Sequence, residues 1–174
     1  MSVSNNHFER VGFTCSCFDL FHSGHVAMLK EASNHCDYLI VGLQTDPTLD
    51  RPEKNPPIQS VFERYVQLEG CRYIDEIIPY ATEQDLLDVL KTYQINVRFI
   101  GEEYKDKEFT GKELCLNKKI EIYYNARQHS FSTSGLRKRI VHKALKGRGG
   151  YGMVNDYGDE IILDKINSGE YNEI

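Results

Sequence analysis

Residues 11–25 read Val-Gly-Phe-Thr-Cys-Ser-Cys-Phe-Asp-Leu-Phe-His-Ser-Gly-His, and their order decides the architecture. The first five are apolar or β-branched enough for a buried strand. Ser23 and Gly24 are turn residues, after which Val26, Leu29 and Ala32 return at helical spacing. A strand that breaks through a short loop into a helix opens a βαβ unit. The loop also carries His22 and His25, three residues apart across Gly24 at the start of the helix. Free backbone N–H groups and the helix dipole draw anions to such a point, and glycine lets a phosphate approach the backbone. Two imidazoles there can donate to phosphate oxygens and stabilise negative charge that builds on phosphorus.

Further strands are expected at residues 38–43, 76–78, 97–100 and 120–124, the third of them stopping at Pro79. Residues 46–57 hold four of the five prolines and read as a loop. Ser60 with Glu63 forms a capping box for a helix that ends near Gly70. Thr82 caps another, with Leu86, Leu87, Val89 and Leu90 on its buried side. The Ser132, Thr133 and Ser134 cluster opens a basic helix that runs to about Leu145. Strands separated by helices imply right-handed crossovers and a parallel sheet covered on both faces, with ligands beyond the carboxyl ends of the strands. Chemistry is therefore expected in the loops after the first, second and fifth strands.

A length of 174 residues suits one compact domain, with 40% hydrophobic and 27% charged residues in ordinary globular proportion. The net charge of −5 gives no hint of a polyanion-binding protein. Much of it lies in residues 147–174, where six acidic side chains face two basic ones among six glycines. The expected division is thus a catalytic domain over 1–146 and an acidic, glycine-rich extension over 147–174, either a ribbon or a disordered arm. No apolar run approaches membrane-spanning length, and the first ten residues lack an apolar signal core, so a cytoplasmic location without membrane insertion is expected. Five cysteines make a disulfide framework unexpected. Cys15 and Cys17 with His22 and His25 lack the usual spacing of a structural zinc site, so no metal-ligating residue is assigned. Arg137, Lys138, Arg139 and Lys143 complement the end of a helix dipole and are not read as a nucleic-acid surface.

Other residues carry readings of their own. Lys54, in the proline-rich loop, could close over a triphosphate or be plain solvated surface. Ser132, Thr133 and Ser134 can cap a helix while facing an anion, and Arg127 can offer a planar fork to phosphate or base. Arg72 and Asp75 stand at a strand entry, as a structural ion pair or as ligand contacts. Asp19 would repel a triphosphate unless magnesium or backbone donors intervene, and so reads as orienting its loop.

His22-Ser23-Gly24-His25 resembles the signature of the His-x-Gly-His nucleotidyltransferases, and in particular of the cytidylyltransferases acting on glycerol 3-phosphate, phosphoethanolamine or phosphocholine. Three more segments are similar in order and spacing: Lys54-Asn55-Pro56-Pro57 with Glu63-Arg64-Tyr65, then Cys71-Arg72-Tyr73-Ile74-Asp75-Glu76, then Arg127 through Ser134. The resemblance covers roughly residues 10–140. It implies an α/β, Rossmann-like three-layer fold with a five-stranded parallel sheet, and in-line transfer of a cytidylyl group from CTP, without a covalent intermediate. In that reading His22, His25, Lys54 and Arg127 are catalytic. Cys17, Phe18, Gly24, Arg72, Ser132, Thr133 and Ser134 join the histidines and Arg127 around the nucleotide, and Asp19, Lys54, Asp75 and Glu102 meet the acceptor. Magnesium is the expected counter-ion and a homodimer the expected assembly.

Glycerol 3-phosphate is the acceptor read first, to give CDP-glycerol and pyrophosphate. Gly101-Glu102-Glu103-Tyr104 replaces the Gly-Asp-Asp-Trp of the glycerol-phosphate enzymes, and Gln128, Ser130 and Phe131 replace Thr, Gly and Ile of the last signature. These differences reshape the acceptor pocket. Phosphoethanolamine or phosphocholine with CTP, or a heptose phosphate with ATP, are the alternatives. Outside this class stands a non-catalytic nucleotide- or zinc-binding module.

Overall fold

A computed structural model describes residues 9–126 and 131–145. Five parallel strands, β1 (Val11–Ser16), β2 (Tyr38–Gln44), β3 (Glu76–Tyr80), β4 (Val97–Gly101) and β5 (Glu121–Asn125), form one sheet in the order β3-β2-β1-β4-β5. Between them run helices α1 (Ser23–Ser33), α2 (Val61–Glu69), α3 (Glu83–Thr92) and α4 (Lys112–Asn117), and α5 (Thr133–Leu145) follows. The chain divides into two compact units, Met1–Thr133 and Ser134–Ile174; the described part of the second is the remainder of α5. The expected boundary after Lys146 lies outside the described residues, as does the acidic extension.

Alternation along the strands supplies two cores. Leu39, Val41 and Leu43 of β2, with Val97 and Phe99 of β4, pack against Leu29 and Ala32 of α1 and Leu68 of α2. Phe13 and Ile40 face the other way, onto Leu86 and Leu90 of α3 and Cys115 of α4. Successive residues of a strand point to opposite faces, so β2, buried on both, has to be apolar almost throughout. Each fully buried aliphatic or aromatic side chain contributes about 1.5–3 kcal/mol. The sheet is thus the middle of three layers, as expected.

Helix starts follow the capping residues. Ser60 and Glu63 cap α2, and Thr82 and Asp85 cap α3, each pair bonding reciprocally. Three elements depart from expectation. β3 runs through Pro79, which sits opposite Leu43; an edge strand tolerates proline because its missing N–H can face outward. The proline-rich loop includes a 3₁₀ turn, Pro47–Leu49, capped by Asp46. The polar stretch before β5 contains α4, only six residues long and too short to show an apolar stripe. Gly111 starts it at a φ of +80°, where a Cβ would also lie 2.6 Å from Leu90 Cδ1.

Strand order reverses between β1 and β4, so the loops after these two strands flank a switch-point crevice at the carboxyl edge of the sheet. No helix among the described residues is long and apolar enough to cross a membrane.

Candidate active site

The loop after β1 cannot follow regular geometry. Phe18 and Leu20 both take positive φ, at 51° and 50°, a conformation that costs a bulky residue about 1–3 kcal/mol. Arg64, one turn into α2, holds it there. Only 1% exposed, its guanidinium donates from Nη1 to the carbonyls of Cys17 (2.8 Å) and Gln44 (2.7 Å) and from Nη2 to that of Thr45 (2.6 Å). Its Nε reaches the carbonyls of Gln59 (3.1 Å) and Ser60 (3.3 Å). One cation thereby gathers the ends of β1 and β2 and the exit of the proline-rich loop.

Asp19 completes the tie. It is buried, and its Oδ1 accepts from the backbone N–H groups of Ile58 and Gln59, both at 3.0 Å, while Leu20 N–H donates to Gln59 Oε1 at 2.7 Å. Asp19 therefore fastens the histidine loop to the segment that follows Lys54. Lys54 itself is exposed on that loop.

His22 is the N-cap of α1: its Nδ1 accepts from Gly24 N–H at 3.1 Å, and His25 Nδ1 accepts from His22 N–H at 3.4 Å. The two rings stack with centroids 3.9 Å apart and planes 15° from parallel. Phe18 and Phe21 flank the His25 ring at 5.3 and 5.6 Å. A nitrogen that accepts a hydrogen bond carries no proton, so in each ring the proton falls on Nε2. Both imidazoles are consequently built as Nε2–H donors. Thr133 Oγ1 lies 3.3 Å from His22 Nε2 and donates to Asp19 O at 3.2 Å. A hydroxyl that donates to a carbonyl can still accept, so the polarity of this chain of bonds is consistent from end to end.

The structure therefore brings His22, His25, Gly24, Phe18, Cys17, Asp19 and Thr133 into one loop cluster, with Ser132 immediately before Thr133. Glu102 follows β4 at the same edge of the sheet, exposed, in a 3₁₀ turn. Arg72 and Asp75 it places elsewhere. They precede β3, at the amino edge of the strands, where Asp75 Oδ2 accepts from Leu39 N–H at 2.7 Å and Arg72 lies over the Tyr73 ring at 5.9 Å. Both contacts brace the turn before β3. Arg127 lies outside the described residues, and Ser134 is exposed on α5.

Cys17 Sγ stands 3.4 Å from Arg64 Nη1, and burial pushes its thiol pKa up despite that cation. A protonated thiol facing a guanidinium is a poor zinc ligand. Among the described residues, no group of three or more His, Cys, Asp or Glu side chains is placed to hold a metal ion. Sequence reasoning missed Arg64 and Gln59 as supports of the site. The signal for Arg64 was its place four residues before Leu68, on the buried stripe of α2.

The family described as Cytidylyltransferase-like matches residues 13–139. A Bifunctional protein HldE of Nitrobacter hamburgensis is 33% identical over 136 residues, 78% of this chain and 28% of that protein. A protein of Encephalitozoon cuniculi named Probable ethanolamine-phosphate cytidylyltransferase is 30% identical over 139 residues, 78% of this chain and 41% of the other. The chain thus spans less than half the length of these curated relatives. Among solved structures, a lipopolysaccharide core biosynthesis protein from Thermoplasma volcanium shares the fold with a TM-score of 0.58 at 23% identity, over 69% of this chain and 98% of that one.

Proposed function

Since this chain belongs to the cytidylyltransferase-like family, we propose that it transfers a nucleotidyl group, from CTP in the first reading, to the phosphate of a small phosphorylated alcohol. The observation that carries the proposal is the stacked pair of imidazoles, each anchored through Nδ1 and so polarised to donate from Nε2.

An acceptor phosphate oxygen attacks the α-phosphorus. One P–O bond forms, the bond to the bridging oxygen of the β-phosphate breaks, and pyrophosphate leaves with the electron pair. No proton has to be removed from a phosphate dianion, so the protein's contribution is positioning and charge stabilisation. His22 and His25 donate to the α-phosphoryl oxygens. The 3.3 Å contact of His22 with Thr133 is long for such a bond, so a phosphate oxygen competes for the same proton. Lys54 and Arg127 neutralise the triphosphate from the loops after β2 and β5. Magnesium belongs to the substrate, as the counter-ion of the triphosphate. Asp19, the nearest carboxylate of the loop, is committed through Oδ1 to two backbone donors and fits poorly as a metal ligand.

The acceptor stands at a coarser level. Glycerol 3-phosphate is the reading from the signature segments, whereas the E. cuniculi relative carries ethanolamine phosphate in its name. Adenylyl transfer to a heptose phosphate is the reading to set beside the HldE relatives. A homodimer in the cytoplasm, where nucleoside triphosphates are available, is part of the same proposal. Pyrophosphate release decides it: the purified protein with magnesium is offered CTP or ATP against glycerol 3-phosphate, phosphoethanolamine, phosphocholine and a heptose phosphate. Release with one pair supports the proposal and names the substrates. No release with any pair overturns it.

A further inference from the structure

Asn125 closes β5 at the carboxyl edge of the sheet, in register with Gly101 at the end of β4. It is 4% exposed, and among the described residues neither its Oδ1 nor its Nδ2 has a hydrogen-bond partner. A buried primary amide with both ends unsatisfied is costly, and native proteins keep such groups where something else completes them. The other buried orphans of the first unit, on Arg51 and Arg98, are single Nε atoms of guanidinium groups that bond through other nitrogens. Asn125 alone among the described residues there offers a complete donor and acceptor pair.

Its surroundings limit what can complete it. Tyr123, two residues earlier on the same face of β5, donates its hydroxyl to Glu31 of α1, so Asn125 also faces the α1 side of the sheet. The neighbouring position on β4 is Gly101, and a Cβ built there would run into the carboxylate of Glu103. β4 thus presents no side chain of its own between the amide and β1, and the carboxylate of Glu103, from the 3₁₀ turn that follows β4, takes the space over Gly101. β1, with the histidine loop at its end, is two strands away, roughly 10 Å. Lys54 lies on the opposite side of β1, after β2. The cation expected for the polyphosphate and the uncharged amide thus flank the histidines from opposite sides.

We propose that Asn125 hydrogen-bonds the nucleobase of the nucleoside triphosphate. A ring nitrogen beside an exocyclic amino group, as in cytosine and adenine, presents the adjacent acceptor and donor that a primary amide pairs with, as asparagine does with adenine in nucleic acids. This inference rests on the nucleotidyl-transfer reading of the site.

Binding of CTP, ATP and inorganic tripolyphosphate to the wild-type protein and to Asn125→Leu, measured by calorimetry with magnesium, tests it. Leucine keeps the branched shape at a somewhat larger volume and removes both polar atoms. The expected result is a Kd for the nucleoside triphosphate about 10- to 100-fold higher, with tripolyphosphate bound as by wild type. The melting temperature of the ligand-free variant should be unchanged or higher, since no bond is lost. Asn125→Ala serves as the second variant and should show the same split. Unchanged nucleotide affinity in both variants overturns the role of Asn125 and leaves the site reading intact. Equal weakening toward tripolyphosphate and nucleotide, or a lower melting temperature in both variants, makes the residue structural and overturns it too. A wild-type protein that binds neither nucleotide nor tripolyphosphate brings down the site reading together with this one.

Discussion

Thr133 Oγ1 lies 3.3 Å from Nε2 of His22, across 111 residues of sequence, and the same hydroxyl donates to the carbonyl of Asp19. The segment after β5 and the loop after β1 thus meet at one hydroxyl, on the nitrogen that should face phosphate. Thr133→Val keeps the shape and removes both bonds. It should lower kcat by about 10-fold, the worth of one or two neutral hydrogen bonds, while Thr133→Ser stays near wild type. Steady-state kinetics on the two variants check this, and equal activity in Val and wild type would remove the hydroxyl from the mechanism.

The histidines are expected to matter more for rate than for folding. His22→Ala and His25→Ala each remove an Nε2–H donor aimed at developing charge, and each should reduce turnover by about 100-fold or more. Circular dichroism should show native structure in both, because the loop is held chiefly by Arg64 and Asp19. Wild-type turnover in either variant counts against the phosphate role of that ring.

Arg64 has the opposite profile. Its side chain satisfies five backbone carbonyls from a buried position, and Arg64→Met strands them in the same volume. A loss of about 3–5 kcal/mol in denaturant unfolding is expected, as for other broken buried networks. Arg64→Lys recovers only part, since a single ammonium cannot reproduce the fork. A loss below about 1 kcal/mol for Arg64→Met would mean that the loop keeps its positive-φ residues by other means.

What could be read without coordinates follows the physics of each element. β2 and the capping boxes at Ser60 and Thr82 rest on local rules, burial on both faces and side chains that bond their own helix, and they stand where expected. Pro79 misled because edge or centre is a property of the whole sheet. The histidine motif announced the loop, yet nothing near it in sequence announces Arg64, 39 residues after His25, as its clamp. Arg72 and Asp75 show the converse. Their motif is legible, but its place at the amino edge depends on strand direction, which only the assembled sheet determines.

Lys54 separates electrostatic from structural roles. It is exposed, so Lys54→Ala should leave the melting temperature almost unchanged. Its ammonium is expected to meet the triphosphate, and the substitution should raise the KM for the nucleotide by about 10-fold, less so at high salt because screening already weakens the wild-type contact. Nucleotide saturation curves at two ionic strengths test this. A KM unaltered at low salt would return Lys54 to ordinary surface.

Acid should destabilise the protein through its capping carboxylates. The backbone N–H groups of Thr82 and Ala81 hold Asp85 below its usual pKa, the Ser60 hydroxyl does the same for Glu63, and the Thr48 hydroxyl for Asp46. Each group is more acidic folded than unfolded. The stabilisation is therefore complete above the ordinary carboxylate range and is lost as pH falls through the lowered folded values. Melting temperatures recorded from pH 7 down to pH 3 should decline in the wild type and decline less steeply in Asp46→Asn/Glu63→Gln/Asp85→Asn, which starts lower at pH 7 because its neutral caps accept more weakly. Parallel curves for the two proteins would show that the acid limb is set by other groups.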